Sequence, residues 1–314
     1  MTTTAFVFPG QGSQRVGMGQ DWAEAFPRAR DTFEEADDTL RLNLSKLCWQ
    51  GPEDELTLTA NTQPAILTVS VAMWRVVEET GLRPVVSAGH SLGEYSALVA
   101  AGVLEFADAL RLVRRRGELM QEAVPVGVGA MAAIIGLDDK AIEEGIDAAR
   151  ADPNPEHADQ VCVLANLNAP GQTVIAGHRE LVEHVCDTLR ERGAKRAKLL
   201  PVSAPFHSPL MRPARDGLEP DLATTTFETG TTPVIHNVDA RPSAGGDPAR
   251  QALVRQIDGP VRWVESVERM ANDYEVERAV EIGPGKVLCG LGKRIVRAID
   301  WQALTDPKAI DALA

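Results

Sequence analysis

The sequence has few cysteines and no long apolar segment. Its four cysteines are widely separated and form no Cys-x-x-Cys pair, so a disulfide framework and a cysteine-based metal site are both disfavoured. No apolar run approaches the roughly 20 residues of a membrane span, and the first residues lack the basic and apolar regions of a secretory leader. We therefore expect a cytoplasmic protein with reduced thiols, no metal and no membrane partner.

Positive charge is also scarce, with 32 Lys and Arg residues against 45 Asp and Glu residues and a net charge of −13. A field of this sign disfavours nucleic acid and anionic membrane as partners. Basic residues are concentrated in two places, where most of them fit the solvent-exposed face of a helix. One cluster contains Arg111, Arg114, Arg115 and Arg116, and the other contains Arg190, Arg192, Lys195, Arg196 and Lys198.

Two nucleotide-binding fingerprints are missing from the glycine-rich turn at residues 9–14. The turn follows a short apolar strand at residues 5–8, so its backbone N–H groups can approach a ligand. Gly10-Gln11-Gly12 lacks the third glycine of a dinucleotide site, and no Gly-Lys-Ser/Thr follows it as in a P-loop. A structural turn and a binding turn both fit this segment, whereas a nicotinamide cofactor does not.

A strand, a sharp turn and a helix are predicted around Ser91. An apolar run at residues 84–88 leads into Gly-His-Ser-Leu-Gly, and a helical pattern follows. A serine at the apex of such a turn needs small residues two positions before and after it, which Gly89 and Gly93 supply. The pattern predicts an exposed, nucleophilic Ser91 with the Leu92 N–H beside it at a helix N-terminus. A plain strand-to-helix turn is the structural alternative.

Arg116 occupies the apolar side of a helix predicted at residues 105–124. Its neighbours three and four positions away are all apolar, whereas Arg114 and Arg115 have charged neighbours at those positions. A buried guanidinium needs an anion or carbonyl oxygens, because an unpaired buried charge is costly. Two interpretations remain open: an internal ion pair with an Asp or Glu, and recognition of a substrate carboxylate.

A nucleophilic serine needs a general base, and two of the six histidines are candidates. His207 lies in an irregular loop between prolines, where functional residues are common, and His236 lies in an apolar strand, which is typical of a hydrogen-bonded core histidine. Position therefore favours His207. No acidic residue occurs between residues 203 and 215, so we expect a backbone carbonyl to orient this histidine.

Apolar runs and helical patterns alternate along most of the chain, which predicts an α/β fold. Residues 128–202 carry a separate β-α-β-β-α-β pattern, typical of a ferredoxin-like unit, with a polar loop at residues 152–159. We therefore expect a ferredoxin-like small domain at residues 128–202, inserted into an α/β-hydrolase-like large domain formed by residues 1–127 and 203–314. The last residues, 301–314, fit a weak helix or a frayed end.

Five segments together resemble the malonyl-CoA:acyl-carrier-protein transacylase family, although each segment alone is weak evidence. The resemblance extends from about residue 4 to about residue 297 and includes the discontinuous large domain. The segments are Phe8-Pro9-Gly10-Gln11-Gly12-Ser13-Gln14, Gly89-His90-Ser91-Leu92-Gly93-Glu94, Arg116-Gly117, Phe206-His207-Ser208 and Glu281-Ile282-Gly283-Pro284-Gly285.

The resemblance implies a catalytic role for several matching residues. Ser91 corresponds to the family's nucleophile and His207 to its base. The backbone N–H groups of Gln11 and Leu92 correspond to the donors of the oxyanion hole. The backbone carbonyl of Gln256 corresponds to the group that orients the histidine.

The resemblance also implies a substrate site. Arg116 corresponds to the residue that pairs with the free carboxylate of malonate. Phe206 is similar to the residue found at this position in malonyl-selective members of the family. We expect Gln11, Phe206 and Asn166 to contact the substrate together with Arg116.

The implied activity is transfer of a malonyl group from CoA to the phosphopantetheine thiol of acyl carrier protein, as in type II fatty-acid synthesis. The expected route is a malonyl-serine ester with ping-pong kinetics and no metal or other cofactor. Carrier protein is acidic in this family's systems, so one or both basic clusters are candidate docking surfaces. The family also suggests a monomer.

Three alternatives share parts of this pattern. A serine thioesterase or hydrolase also uses the glycine–serine turn, although the Ser…Asp…His order of conventional α/β hydrolases is absent. A non-catalytic module that binds carrier protein does not need Ser91, His207 and Gln11 intact. An acyltransferase of a polyketide pathway uses the same chemistry, so the sequence does not separate it from the fatty-acid enzyme.

Overall fold

The computed structural model describes residues 2–151, 159–202 and 204–313. The loop predicted at residues 152–159 therefore lies almost wholly outside the described residues. The described chain forms a mixed α/β fold with one six-stranded and one four-stranded sheet, which confirms the predicted fold class. Within these ranges, no helix is both long and apolar enough to cross a membrane.

The strands of the described chain form a larger and a smaller sheet. In chain order they are β1 (Thr4–Phe8), β2 (Val86–Gly89), β3 (Gly129–Ile135), β4 (Cys162–Ala169), β5 (Gln172–His178), β6 (Arg196–Leu199), β7 (Thr229–Ile235), β8 (Pro242–Gly245), β9 (Arg278–Glu281) and β10 (Asp300–Ala303). The larger sheet has the order β10-β9-β1-β2-β7-β8, and its neighbouring strands are parallel except for β7 and β8. The smaller sheet is antiparallel, with the order β4-β5-β3-β6.

The α-helices connect these strands. In chain order they are α1 (Gln20–Ala25), α2 (Pro27–Leu40), α3 (Leu44–Gln50), α4 (Glu53–Thr57), α5 (Thr59–Glu79), α6 (Gly93–Ala100), α7 (Phe106–Glu122), α8 (Asp139–Arg150), α9 (Arg179–Glu191), α10 (Arg212–Thr224), α11 (Gly246–Gln256), α12 (Trp263–Asp273) and α13 (Val287–Ile295). Two 3-10 helices lie at Pro209–Met211 and Pro307–Leu313.

The larger sheet has an apolar core on each face, as is usual for parallel strands. Because side chains alternate along a strand, Phe6 and Phe8 of β1 belong to one core and Ala5 and Val7 to the other. The first core is completed by α1–α7, α10 and α11, and the second by α12 and α13. Both faces of the central strands are therefore closed to water.

The smaller sheet has its own core with α8 and α9. Ile134 of β3, Ile146 of α8 and Val185 of α9 are among the buried residues of that core. The strand order and the two helices are those of a ferredoxin-like βαββαβ unit. All of its elements lie between Gly129 and Leu199.

The prediction of a helix or frayed end at residues 301–314 is wrong for the first residues of this segment. Asp300–Ala303 instead forms β10, which pairs in parallel with β9. Trp301 is 4 % exposed, and its Nε1 donates a hydrogen bond of 3.1 Å to the Val296 carbonyl oxygen. A four-residue strand has no readable periodicity of its own, so its pairing partner determines its conformation.

The carboxyl ends of β1, β2 and β7 meet at one edge of the larger sheet. β1 leads into the turn that contains Gln11, β2 leads into the turn that contains Ser91, and β7 leads into His236 and Asn237. The His90 N–H donates to the Phe8 carbonyl oxygen at 3.0 Å, which holds the Ser91 turn against the end of β1. Parallel α/β sheets bind their ligands at this edge.

Candidate active site

Ser91 lies in the tight turn between β2 and α6. Its φ of 52° falls in the left-handed region, which few non-glycine residues adopt. A Cβ atom at Gly93 would lie 2.1 Å from the Phe8 carbonyl oxygen, and one at Gly89 would lie 1.9 Å from the carbonyl oxygen of Gly93. Only glycine fits at these two positions, so the sequence pattern around Ser91 has a direct steric cause.

His207 meets Ser91 across the fold, with 2.8 Å between Nε2 and the serine Oγ. His207 Nδ1 lies 3.0 Å from the Gln256 carbonyl oxygen and 3.1 Å from the Gly259 carbonyl oxygen. Two acceptors at Nδ1 place the ring proton there, so Nε2 is left to accept a proton from the serine. The structure therefore brings the predicted serine, histidine and carbonyl together, and it adds Gly259.

The surroundings of His207 keep its imidazole neutral. Burial, followed by the positive charge of Arg116, lowers the pKa of His207 to about 3. The hydrogen bonds to the Gln256 and Gly259 carbonyl groups oppose this shift and are smaller causes. A neutral imidazole near pH 7 is the form that can take the Ser91 proton.

Arg116 projects from α7 into the site and is 2 % exposed. Its Nη2 lies 3.2 Å from Ser91 Oγ and donates to Gln256 Oε1 at 2.9 Å, while Nη1 donates to Gln63 Oε1 at 2.8 Å. Its guanidinium also lies 5.7 Å from the centre of the Tyr95 ring. Among the described residues, no acidic side chain pairs with this guanidinium, so the internal ion pair left open by the sequence is not found there.

Gln11 and Leu92 lie in the turns that follow β1 and β2, and Gln11 lines the same cleft as Ser91. Leu92 directly precedes α6, and Gln11 follows β1, the strand that pairs with β2 in the register Phe8↔Gly89. Within the described part of the chain, the backbone N–H groups of Gln11 and Leu92 have no hydrogen-bond acceptor. Two free donors at this edge suit an oxyanion.

A cleft opens in front of Ser91 and His207. Gln11, Arg116, Asn166 and Phe206 line it, so it contains every side chain predicted to contact substrate. Phe206 and Asn166 are 8 % and 7 % exposed. The remaining lining residues are Gln63, His90, Met120, Met131, Leu200 and Val202.

Sequence reasoning missed the polar residues behind Ser91. Asn237 accepts a hydrogen bond of 2.6 Å from the Ser91 N–H, and Glu94 and Gln63 are buried nearby. Spacing along the chain does not predict these contacts, because Asn237 lies 146 positions from Ser91. One available signal was Glu94 itself, the one charged residue in helix α6.

His236, the second candidate base, lies away from the serine hydroxyl. Its Nδ1 is 2.8 Å from Glu94 Oε1 and its Nε2 is 2.6 Å from Ser243 Oγ. It is 3 % exposed and hydrogen-bonded on both sides, as expected for a core histidine. Over the described residues, no group of three His, Cys, Asp or Glu side chains is placed to hold a metal ion.

Known proteins match this chain over its whole length. The sequence profile of the acyl transferase domain matches residues 5–304. The malonyl CoA-acyl carrier protein transacylase of Escherichia coli (strain K12) is 53 % identical over 313 residues, which cover 99 % of both chains. The crystal structure of an acyl carrier protein S-malonyltransferase from Vibrio cholerae is 49 % identical, with a TM-score of 0.93 and coverage of 100 % of both chains.

A further solved structure contains a carrier protein. It holds a type II PKS acyl-carrier protein in complex with its malonyl-transacylase, and the matched chain is 48 % identical, with a TM-score of 0.94. The match covers 99 % of the present chain and 98 % of the other. Together with the serine, histidine and arginine at one cleft, these similarities show that the chain belongs to the malonyl-CoA:acyl-carrier-protein transacylase family of acyl transferases.

Proposed function

We propose that this protein transfers a malonyl group from CoA to the phosphopantetheine thiol of acyl carrier protein, through an ester on Ser91. The observation that carries the proposal is the buried Arg116 guanidinium, which has no acidic partner among the described residues and lies 3.2 Å from Ser91 Oγ. A malonyl thioester has a free carboxylate one methylene group away from the carbonyl that reacts. Arginine binds such a carboxylate with two parallel hydrogen bonds.

In the first half-reaction, His207 Nε2 takes the proton of Ser91 Oγ while the oxygen attacks the thioester carbonyl. The backbone N–H groups of Gln11 and Leu92 donate to the oxyanion that forms. The C–S bond then breaks, and the CoA thiolate leaves with the proton held by His207. The product is a malonyl ester on Ser91.

In the second half-reaction, the phosphopantetheine thiol of carrier protein takes the place of CoA. His207 removes the thiol proton, and the sulfur attacks the ester carbonyl at the same oxyanion site. The C–O bond to Ser91 breaks, and the proton returns from His207 to Ser91 Oγ. Because one acyl group occupies the serine between the two halves, the kinetics are ping-pong.

We place the malonyl group between the two parts of the chain. Residues 1–127 and 203–314 form the large domain and residues 128–202 form the inserted small domain. The proposed division is supported by the two sheets and their separate cores. Met131, Asn166 and Leu200 line the cleft from the inserted segment, and Phe206 lines it from the returning chain. The monomeric state and the cytoplasmic location stay predictions.

The pantetheine arm has a groove of its own in this proposal. A groove adjoins the cleft and shares Gln11, His90, Asn166 and Leu200 with it. Its other walls include the turn after β1 and apolar residues of α13, among them Leu291. The groove and the cleft together form a continuous path to Ser91, which suits a long, flexible thiol carrier.

The proposed docking surface for acidic carrier protein is the basic cluster around β6. Among the described residues, no acidic side chain pairs with the exposed Arg192, Lys195, Arg196 or Lys198. The chain runs from this cluster directly to Leu200, at the cleft. The other cluster suits docking less, because Arg111 pairs with Asp108 and Arg114 with Glu118, and because Arg116 is buried.

Intact-protein mass spectrometry tests the proposal. The protein is mixed with malonyl-CoA or acetyl-CoA, and then with phosphopantetheinylated carrier protein, with Ser91→Ala as the control. We expect a malonyl-sized adduct that needs Ser91, weak acetyl labelling, and transfer of the malonyl group to carrier protein. An adduct lost to water at the same rate without carrier protein identifies a hydrolase, and no adduct identifies a binding module.

A further inference from the structure

Glu94, in the first turn of α6, is completely buried behind Ser91. Its Oε2 accepts hydrogen bonds from the Asn237 backbone N–H at 3.0 Å and from Gln256 Nε2 at 2.8 Å. Its Oε1 lies 2.8 Å from His236 Nδ1. One carboxylate therefore joins the segment after β7 to the end of α11.

The side chains of Asn237 and Gln256 hold both backbone groups of the nucleophile. Asn237 Oδ1 accepts from the Ser91 N–H at 2.6 Å, and Asn237 Nδ2 donates to the Gly89 carbonyl oxygen at 2.7 Å. Gln256 Nε2 donates to the Ser91 carbonyl oxygen at 3.0 Å, and Gln256 Oε1 accepts from Arg116 Nη2 at 2.9 Å. Both amides thus contact the Ser91 backbone, and the Gln256 amide also contacts Arg116.

The chemistry of these contacts permits a single orientation of the Gln256 amide. A carboxylate and a carbonyl only accept hydrogen bonds, so the amide atom that faces Glu94 and the Ser91 carbonyl must be the NH₂ group. A guanidinium only donates, so the atom that faces Arg116 must be the amide oxygen. Glu94 and the Ser91 carbonyl together therefore determine which end of Gln256 is presented to Arg116.

We propose that Glu94 is a positioning residue for both nucleophile and selectivity. By holding Asn237 and Gln256, it keeps the Ser91 backbone in its left-handed conformation. It also keeps Gln256 Oε1 hydrogen-bonded to Arg116, next to the place where the thioester carbonyl reacts. His236 holds the other carboxylate oxygen, and Ser243 holds His236 in turn. The part of the inference that concerns malonyl selectivity rests on the proposed function, whereas the part that concerns Ser91 does not.

Two conservative variants separate length from charge at this position. In Glu94→Gln the side-chain oxygen still reaches Asn237 and Gln256, and its NH₂ group donates to His236 Nδ1 once the imidazole proton moves to Nε2 and binds Ser243 Oγ. In Glu94→Asp the charge remains, but the side chain is one methylene shorter and cannot reach all of its partners. If Glu94 acts by positioning its partners, glutamine should preserve the properties of the site better than aspartate does.

Two readouts are independent of how much protein is folded. The first is the ratio of malonyl to acetyl acylation rates, and the second is the labelling rate per active serine with phenylmethylsulfonyl fluoride, a neutral reagent. We expect Glu94→Gln to keep both within about threefold of wild type. We expect Glu94→Asp to lower both by about 10- to 100-fold, because displacements near 1 Å have effects of that size.

Glu281 provides a matched control, because it is also a completely buried glutamate. It accepts from the Leu288 and Cys289 N–H groups at the start of α13, and it contacts neither amide. Glu281→Asp is expected to lower the melting temperature and to leave both readouts unchanged.

Equal losses in Glu94→Gln and Glu94→Asp, a larger loss in Glu94→Gln, or wild-type values in both would each overturn the inference. A wild-type protein that is not acylated by malonyl-CoA contradicts the proposed function instead. In that case the sulfonyl fluoride rates still test whether Glu94 positions Ser91.

Discussion

Ser91 and His207 both have left-handed backbones, with φ of 52° and 59°, and their side chains meet at 2.8 Å. A non-glycine residue in this region is strained by roughly 1–3 kcal/mol, so other contacts must hold it there. Asn237 and Gln256 hold the Ser91 backbone, and the Gln256 and Gly259 carbonyl groups hold the His207 ring. The serine and its base are therefore oriented before any substrate arrives.

Arg116→Ala is expected to remove most of the preference for malonyl over acetyl groups. The buried guanidinium is the only cation in contact with Ser91 among the described residues, and an unpaired malonyl carboxylate in the cleft would be costly. The preference should fall by about 30-fold to several thousand-fold, equal to about 2–5 kcal/mol. Quenched-flow mass spectrometry of acyl-enzyme formation from each thioester measures the ratio.

Arg115→Ala is the matched control for this change. Arg115 neighbours Arg116 on α7, but its side chain is 48 % exposed and lies 3.9 Å from Asp221. Its removal should leave the ratio unchanged. An unaltered ratio in Arg116→Ala would show that the malonyl carboxylate binds elsewhere.

The lowered pKa of His207 predicts that Ser91 stays reactive in mild acid. Because the pKa lies near 3, the imidazole stays neutral as the pH falls below the usual histidine value of about 6.5. The rate of Ser91 labelling by phenylmethylsulfonyl fluoride should therefore be flat from about pH 8 to about pH 5. A half-maximal rate near pH 6.5 would show that His207 titrates normally.

Arg116→Ala should raise this pKa, because the Arg116 charge is the second cause of the shift after burial. In the variant, the labelling rate should therefore begin to fall at a higher pH than in wild type.

The lowered pKa of His207 also makes the free energy of unfolding depend on pH. Between pH of about 6.5 and about 3 the unfolded histidine binds a proton that the folded one does not, so this site lowers stability as the pH falls.

Gly93→Ala is expected to disrupt the Ser91 turn. The added Cβ would lie 2.1 Å from the Phe8 carbonyl oxygen, so either β1 or α6 has to move. We expect a loss of about 3 kcal/mol or more in the free energy of unfolding, measured by denaturant titration. Any variant protein that remains soluble should also react slowly with phenylmethylsulfonyl fluoride at Ser91.

Gly290→Ala is the matched control for Gly93→Ala. Gly290 is exposed in α13, and a Cβ there would have no neighbour within 4 Å. This substitution should stabilise the protein by about 0.5–1 kcal/mol, because alanine loses less backbone entropy in a helix. Equal effects of the two substitutions would contradict the steric account of the turn.

Charge reversal at Lys195 and Arg196 is expected to weaken the reaction with carrier protein alone. Lys195→Glu/Arg196→Glu should raise the KM for carrier protein roughly 10-fold at low salt, with a smaller effect at high salt. Acylation by the malonyl thioester of N-acetylcysteamine, which has no phosphate groups, should not change. Arg111→Glu, on the other cluster, is the control, and identical carrier-protein kinetics in all variants would exclude docking at β6.

The sequence was most informative where one local cause determines the structure. The two glycines around Ser91 are required by contacts within a few residues and with the adjoining strand, so the turn is readable as a pattern. The apolar neighbours of Arg116 on α7 likewise indicate its burial, and the structure places it at 2 % exposure. The ferredoxin-like order follows from short-range alternation of strands and helices.

The polar network behind Ser91 was not predictable in this way. Glu94, Asn237 and Gln256 come together only because α6, β7 and α11 pack against one another, and no spacing rule relates them. β10 was missed for a similar reason, since its conformation depends on β9. The features that escaped prediction are those for which tertiary contacts outweigh local preference.

The central position of β1 affects the order in which the two sheets can form during synthesis. β1 pairs with β2 on one side and with β9 on the other, where Thr4 faces Arg278. The larger sheet therefore cannot be completed until nearly the whole chain has left the ribosome. The strands of the ferredoxin-like unit pair with one another over shorter sequence distances, so this unit can fold earlier. We therefore expect Ser91 and His207, which lie 116 positions apart, to come together only late in synthesis.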